Sequence, residues 1–77
     1  MSVEIKMPKF GETMEEGTIV AWKKQVGDTI SDGEVIAEVD TDKSTLEIES
    51  PVSGKLLQIL VDVNETVAVS APIAIVG

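Results

Sequence analysis

The stretch Gly17-Thr18-Ile19-Val20-Ala21-Trp22-Lys23-Lys24-Gln25-Val26-Gly27-Asp28-Thr29-Ile30-Ser31-Asp32-Gly33-Glu34-Val35-Ile36-Ala37-Glu38-Val39 is copied further along the chain, from Gly54 to Val76. At a constant offset of 37, Gly17 matches Gly54, Val26 matches Val63, Thr29 matches Thr66, Ala37 matches Ala74 and Val39 matches Val76. Similar residues fill the positions between: Ile19 with Leu56, Trp22 with Ile59, Asp28 with Glu65, Ile30 with Val67 and Ile36 with Ile73. Gly27 falls opposite Asn64, and these residue types most readily adopt positive φ, so one turn geometry is expected in both copies. One register held over 23 positions indicates an internal duplication.

Upstream the offset becomes 43, pairing Val3 with Leu46, Ile5 with Ile48 and Pro8 with Pro51, so the first copy holds six extra residues. They fall between Pro8 and Gly17, in Lys9-Phe10-Gly11-Glu12-Thr13-Met14-Glu15-Glu16, and an insertion of this kind forms a surface loop.

The repeated unit is built of strands. Leu46 and Ile48 alternate with Thr45, Glu47 and Glu49, and Val3, Ile5 and Met7 with Glu4 and Lys6, the pattern of half-buried strands. Thr18 to Lys23, Glu34 to Val39 and Lys55 to Val61 are apolar on both faces and are expected to run through the core, Trp22 included. Turn residues separate these segments, and nothing reads as a helix. Two related halves predict an all-β domain, a flattened barrel or sandwich of two sheets face to face with approximate two-fold symmetry. In that arrangement the Thr41-Asp42-Lys43 turn joins the copies, and its symmetry partner is the meeting of the two termini.

Composition narrows the function. The 77 residues have a mass of 8.2 kDa and include no Cys and no His, which removes disulfides, thiol nucleophiles, thiolate metal sites and the usual general base. A net charge of −8 opposes binding to nucleic acid or anionic lipid, since phosphate recognition needs a cationic surface. No apolar run approaches the roughly 18 residues of a membrane span, and the N-terminal sequence lacks the basic and apolar regions of a signal peptide. With 43% hydrophobic residues the chain folds, around an aliphatic core holding few aromatic side chains. It is a single small domain, 1–77, unsuited to a deep substrate pocket.

Of six lysines, Lys43 alone sits at a tight turn between strands. By itself an Asp-Lys turn is ordinary solvated surface. The setting argues against direct lysine catalysis: a Schiff-base lysine needs a desolvating or cationic environment, whereas Lys43 is flanked by Asp40 and Asp42.

Glu38-Val39-Asp40-Thr41-Asp42-Lys43-Ser44-Thr45 resembles the attachment motif of lipoyl domains. Met7-Pro8-Lys9-Phe10-Gly11-Glu12-Thr13-Met14-Glu15-Glu16-Gly17, Trp22, Gly27-Asp28-Thr29-Ile30, Gly33 to Glu38 and Ser50-Pro51-Val52-Ser53-Gly54 extend the likeness over the whole chain. The family is the lipoyl domain of the dihydrolipoamide acyltransferase component of 2-oxo acid dehydrogenase complexes, a flattened barrel of two four-stranded antiparallel sheets. The Met7–Gly17 stretch is closer to pyruvate or acetoin dehydrogenase carriers than to 2-oxoglutarate ones.

The resemblance implies that lipoic acid is joined by an amide to the Lys43 side chain, with Asp42 and Ser44 completing the attachment turn. It implies that Asp40, three residues before, and Gly54, eleven after, guide the lipoate ligase or lipoyl transferase. Gly54 also reads as a turn residue needing an unusual φ. The inserted loop, with Phe10, Glu12, Thr13 and Met14, would be read by the thiamine-diphosphate-dependent decarboxylase, although Phe10 and Met14 could equally fold back over the core edge. The lipoyl arm would then serve the acyltransferase core and the flavin-containing dihydrolipoyl dehydrogenase in turn, the isolated domain being a monomer without activity of its own. Two alternatives stay open: a biotinyl carrier domain, although methionines flank the lysine there and Asp42 and Ser44 do so here, and an unmodified acidic interaction module. A fragment of a larger chain, from a bacterial cytoplasm or a mitochondrial matrix, is the expected context.

Overall fold

β-branched and aliphatic residues, broken at regular intervals by Gly, Asp, Asn and Ser, divide the chain into short extended segments. The computed structural model describes residues 2–12, 14–41 and 44–77. They form β1 (Val3–Lys6), β2 (Glu16–Trp22), β3 (Thr29–Ile30), β4 (Val35–Asp40), β5 (Thr45–Glu49), β6 (Gly54–Ile59), β7 (Thr66–Ala68) and β8 (Pro72–Val76). One four-stranded sheet has the order β1-β8-β6-β3, the other β5-β4-β2-β7, and every pairing is antiparallel.

The duplication is visible in the register. β1 against β8 pairs Val3 with Val76 and Ile5 with Ala74; at the repeat offsets, β5 against β4 pairs Leu46 with Val39 and Ile48 with Ala37. β6 against β8 pairs Leu56 with Val76 and Ile59 with Ala74, just as β2 against β4 pairs Ile19 with Val39 and Trp22 with Ala37. The turns agree as well. Gly27 has φ 99° and Asn64 φ 75°, as their alignment requires, and a second matched pair, Gly33 at 85° and Ser70 at 74°, follows the same offset.

The core lies between the sheets and is entirely aliphatic: Ile5, Met7, Ile19, Ile30, Ile36, Ala37, Val39, Ile48, Leu56, Val61, Ile73, Ala74 and Val76. Burying a side chain of this kind is worth about 1.5–3 kcal/mol, which offsets the ordering of so short a chain. Among the described residues Ser50 is the one buried polar residue, and its hydroxyl donates to the Val52 carbonyl oxygen at 2.6 Å.

Bulges let consecutive apolar residues face the core. The β4–β5 register skips Ile36 and the β1–β8 register skips Ile73, so Ile36 with Ala37, and Ile73 with Ala74, turn consecutive side chains inward. Of the three stretches expected to run through the core, Glu34 to Val39 does; Thr18 to Lys23 buries only Ile19, and Lys55 to Val61 also falls short. Leu56 and Val61 are buried, but Leu57 and Leu60 remain exposed, because no third layer covers the outer face of β6. Trp22 likewise lies at the core's margin, half-buried, with its indole N–H donating to the Val61 carbonyl oxygen at 2.8 Å.

Candidate functional site

β4 and β5 form a hairpin whose last strand pair is Asp40 with Thr45. Beyond it the Thr41 amide donates to the Ser44 carbonyl oxygen at 2.9 Å, so the neck is closed by backbone pairing. The Thr41 hydroxyl adds to this closure, donating to the same carbonyl oxygen at 2.9 Å and accepting from the Ser44 amide at 3.3 Å. The two residues that connect Thr41 to Ser44, Asp42 and Lys43, lie outside the described residues, as does Thr13 of the inserted loop.

Asp40, Ser44 and Thr45 are exposed and Thr41 is half-buried. Asp40 stands on the outer face of its sheet in a cross-strand row with Thr45 on one side and Thr18 on the other; Thr18 in turn meets Thr66, their hydroxyls 2.8 Å apart. A lysine joined between Thr41 and Ser44 is not needed to hold this hairpin shut, and its flanks are open to a macromolecular enzyme. Those are the requirements of an amide-linked prosthetic arm, and the hairpin fits them.

The inserted loop is fastened beside the hairpin. Met14 is half-buried against the core, and its sulfur accepts the Phe10 amide at 3.3 Å. Its methyl lies 3.2 Å from where a Cβ on Gly17 would stand, and Val39 Cγ2 lies 2.6 Å from that point. Met14, Gly17 and Val39 thus form one contact joining the loop to β4, a residue before Asp40. Phe10 is 41% exposed and, with Lys9, Gly11 and Glu12, lines a shallow depression. Of the residues expected to meet a partner, Phe10 and Glu12 face solvent, while Met14 anchors the loop.

Gly54 is placed in the other sheet, at the start of β6 opposite Ile30. Its φ is not positive, so the expected turn conformation is absent. A Cβ there would lie 2.9 Å from Val76 Cγ1 and 3.0 Å from the Gly77 carbonyl oxygen, which makes close packing the reason for glycine. Gly17 and Val39 are the matched pair of Gly54 and Val76, and they make the same contact beneath the hairpin.

Charge is distributed unequally between the matched sheets. The hairpin sheet carries Glu38 directly across from Glu47, with Glu49, Asp40 and Glu16 on neighbouring positions. The repeat offsets put Ile75, Glu4, Lys6, Gly77 and Ser53 at the corresponding places in the other sheet. Like charges directly opposite cost a few tenths of a kcal/mol, and Lys23, 3.3 Å from Glu38, relieves part of this repulsion. Further from the hairpin, Lys24 stands 2.9 Å from Glu34. Their hydrogen bond raises the lysine above its ordinary value; the same bond, helped by the Ser31 amide, holds the glutamate below its own.

The sequence missed Thr41 and Thr18, although a Thr-x-x-Ser frame around the Asp-Lys pair was a legible sign of a side-chain-closed turn.

Residues 3–76 match the biotin/lipoyl family, described as "Biotin-requiring enzyme". The chain is 47% identical over 76 residues to the dihydrolipoyllysine-residue acetyltransferase component of the pyruvate dehydrogenase complex of Corynebacterium glutamicum, covering 99% of this chain and 11% of that protein. It is also 47% identical over 76 residues to the pyruvate dehydrogenase E1 component subunit beta of Rhizobium meliloti, covering 97% of this chain and 16% of that one. The chain therefore spans only a small part of the length of these relatives. Among solved structures, the lipoyl domain of the 2-oxoglutarate dehydrogenase complex from Azotobacter vinelandii superposes with a TM-score of 0.77 at 27% identity, covering 97% of this chain and 95% of the other.

Proposed function

Because the chain belongs to the biotin/lipoyl family and is a lipoyl carrier domain, we propose that Lys43 bears its lipoic acid in amide linkage and presents it as a swinging arm. The observation that carries this reading is the β4–β5 neck, closed at Thr41 and Ser44 so that the Asp42-Lys43 dipeptide forms the connection between them. When bound, the dithiolane supplies a redox-active disulfide and an acyl-accepting sulfur.

The protein's own residues hold and present it. Thr41 and Ser44 fix the base of the arm, the exposed Asp40 and Ser44 offer surface on either side of it to a lipoate ligase or lipoyl transferase, and amidation takes the net charge from −8 to −9. Gly54 acts on attachment through the packing of the barrel. Phe10 and Glu12 offer an apolar and an acidic contact to the thiamine-diphosphate-dependent decarboxylase of the complex. The acyltransferase core and dihydrolipoyl dehydrogenase are the other stations, and a flexible tether keeps the arm at local concentrations on the order of mM. The domain itself is a monomeric carrier that catalyses no step, and its parent chain is a dihydrolipoamide acyltransferase.

Incubation with lipoate ligase, lipoate and ATP, followed by intact-mass measurement and peptide mapping, tests the reading. One lipoyl group on Lys43 is expected, and Lys43→Ala is expected to stay folded and take none, since the neck is closed by Thr41 and Ser44. Modification persisting in Lys43→Ala would overturn the assignment. Biotin addition in place of lipoate would move the chain to the biotinyl branch of its family.

A further inference from the structure

Among the described residues of the hairpin neck, Thr41 is the one whose side chain bonds across it, to Ser44. Three hydrogen bonds close that neck: the backbone bond from the Thr41 amide to the Ser44 carbonyl oxygen, and the two made by the Thr41 hydroxyl, to that oxygen and from the Ser44 amide. The hydroxyl therefore satisfies both backbone groups of Ser44, the residue that directly follows Lys43. A neck closed by the backbone bond alone would sample more geometries than one closed by three bonds, and fixing a residue in one geometry carries an entropy cost. Thr41 is half-buried between exposed neighbours at Asp40 and Ser44.

We propose that Thr41 is the positioning residue of the attachment hairpin: its hydroxyl locks the Thr41–Ser44 neck on which the attaching enzyme recognises its target. This rests on Lys43 being the lipoylated residue. Its action is on the population of the competent hairpin, with no contact to the reacting atoms. When only a fraction of molecules is competent, the apparent affinity falls by that fraction while the turnover of bound molecules is unaltered. Loss of the hydroxyl therefore raises KM and leaves kcat in place.

Thr41→Val keeps the β-branched shape and removes both hydroxyl bonds, whereas Thr41→Ser keeps the hydroxyl and removes only a methyl group. With a lipoate ligase, lipoate and ATP, Thr41→Val is expected to show KM raised about tenfold, with kcat within about twofold of the parent chain. Thr41→Ser is expected to restore KM, and the thermal midpoints of all three chains are expected to agree closely. Hydrogen exchange at the Ser44 amide, measured without ligase, is expected to speed up in Thr41→Val alone. An unchanged KM and unchanged exchange in a folded Thr41→Val would overturn the proposal, as would a Thr41→Ser chain as impaired as Thr41→Val. Should Thr41→Val fail to fold, Ser44 exchange and ligase KM in Thr41→Ala decide by the same criteria. If the parent chain itself accepts no lipoyl group, the carrier reading fails first and this one with it.

Discussion

A glycine can be required for the conformation it adopts or for the space it leaves. Gly27 belongs to the first kind, and its counterpart Asn64 meets the same demand with a side chain. Gly17 and Gly54 belong to the second: a methyl on either would intrude on a valine of the neighbouring strand, and on Gly54 also on a backbone carbonyl that cannot swing away. Gly54→Ala is therefore expected to destabilise the domain by about 1–3 kcal/mol, each kcal/mol lowering the thermal midpoint by roughly 4–8 °C. Well below that midpoint the folded variant should be lipoylated at the parent rate. A normal midpoint with slowed lipoylation would instead make Gly54 a residue the ligase reads. Lys24 and Glu34 allow a second test at this scale. The glutamate is held below its ordinary value, so its contribution to stability is present above that value and is lost as pH falls through the lowered one; the raised lysine contributes below its ordinary value and ceases to as pH rises through the raised one. In Lys24→Ala the Glu34 carboxyl, followed by NMR, is expected to titrate at higher pH than in the parent chain. An unmoved midpoint would show that the Ser31 amide alone holds it down.

At the scale of elements, the duplication was legible because aliphatic periodicity and positive-φ residues recur at a fixed offset, and both are dictated by local backbone physics. The two-sheet architecture followed from the symmetry, and the six-residue insertion appeared as a loop. What the pattern could not reveal was where sheets end in depth. Leu57 and Leu60 read as core because their neighbours do, yet a two-layer molecule leaves the outside of β6 uncovered. Bulges had the opposite effect: Ile36 and Ala37 read as two faces of a strand although both turn inward. At the candidate site, the Asp-Lys pair and its flanking acid were visible as a motif, whereas the Thr41 clamp and the Met14–Gly17–Val39 contact are tertiary facts. Met14 could have been a partner-facing residue on sequence alone. Its sulfur and methyl are instead occupied by Phe10 and Gly17, whereas Phe10 and Glu12 are among the exposed residues of the loop.

For the whole molecule, the two halves do not each make a sheet. Each sheet takes two strands from either half, and of the six strand pairings only β2–β4 and β6–β8 lie within one copy. Fragments 1–42 and 43–77 are accordingly expected to be unfolded when separate and to regain the β-sheet circular-dichroism spectrum when mixed. A folded half on its own would contradict the interleaving. The same weave sets a condition on biosynthesis. β8, translated last, occupies an inner place between β1 and β6, so a nascent chain that has not yet released Val76 from the ribosome cannot close its first sheet. Lys43 leaves the ribosome well before the fold that displays it exists, and an attaching enzyme that reads the folded hairpin must act after translation of the domain is complete.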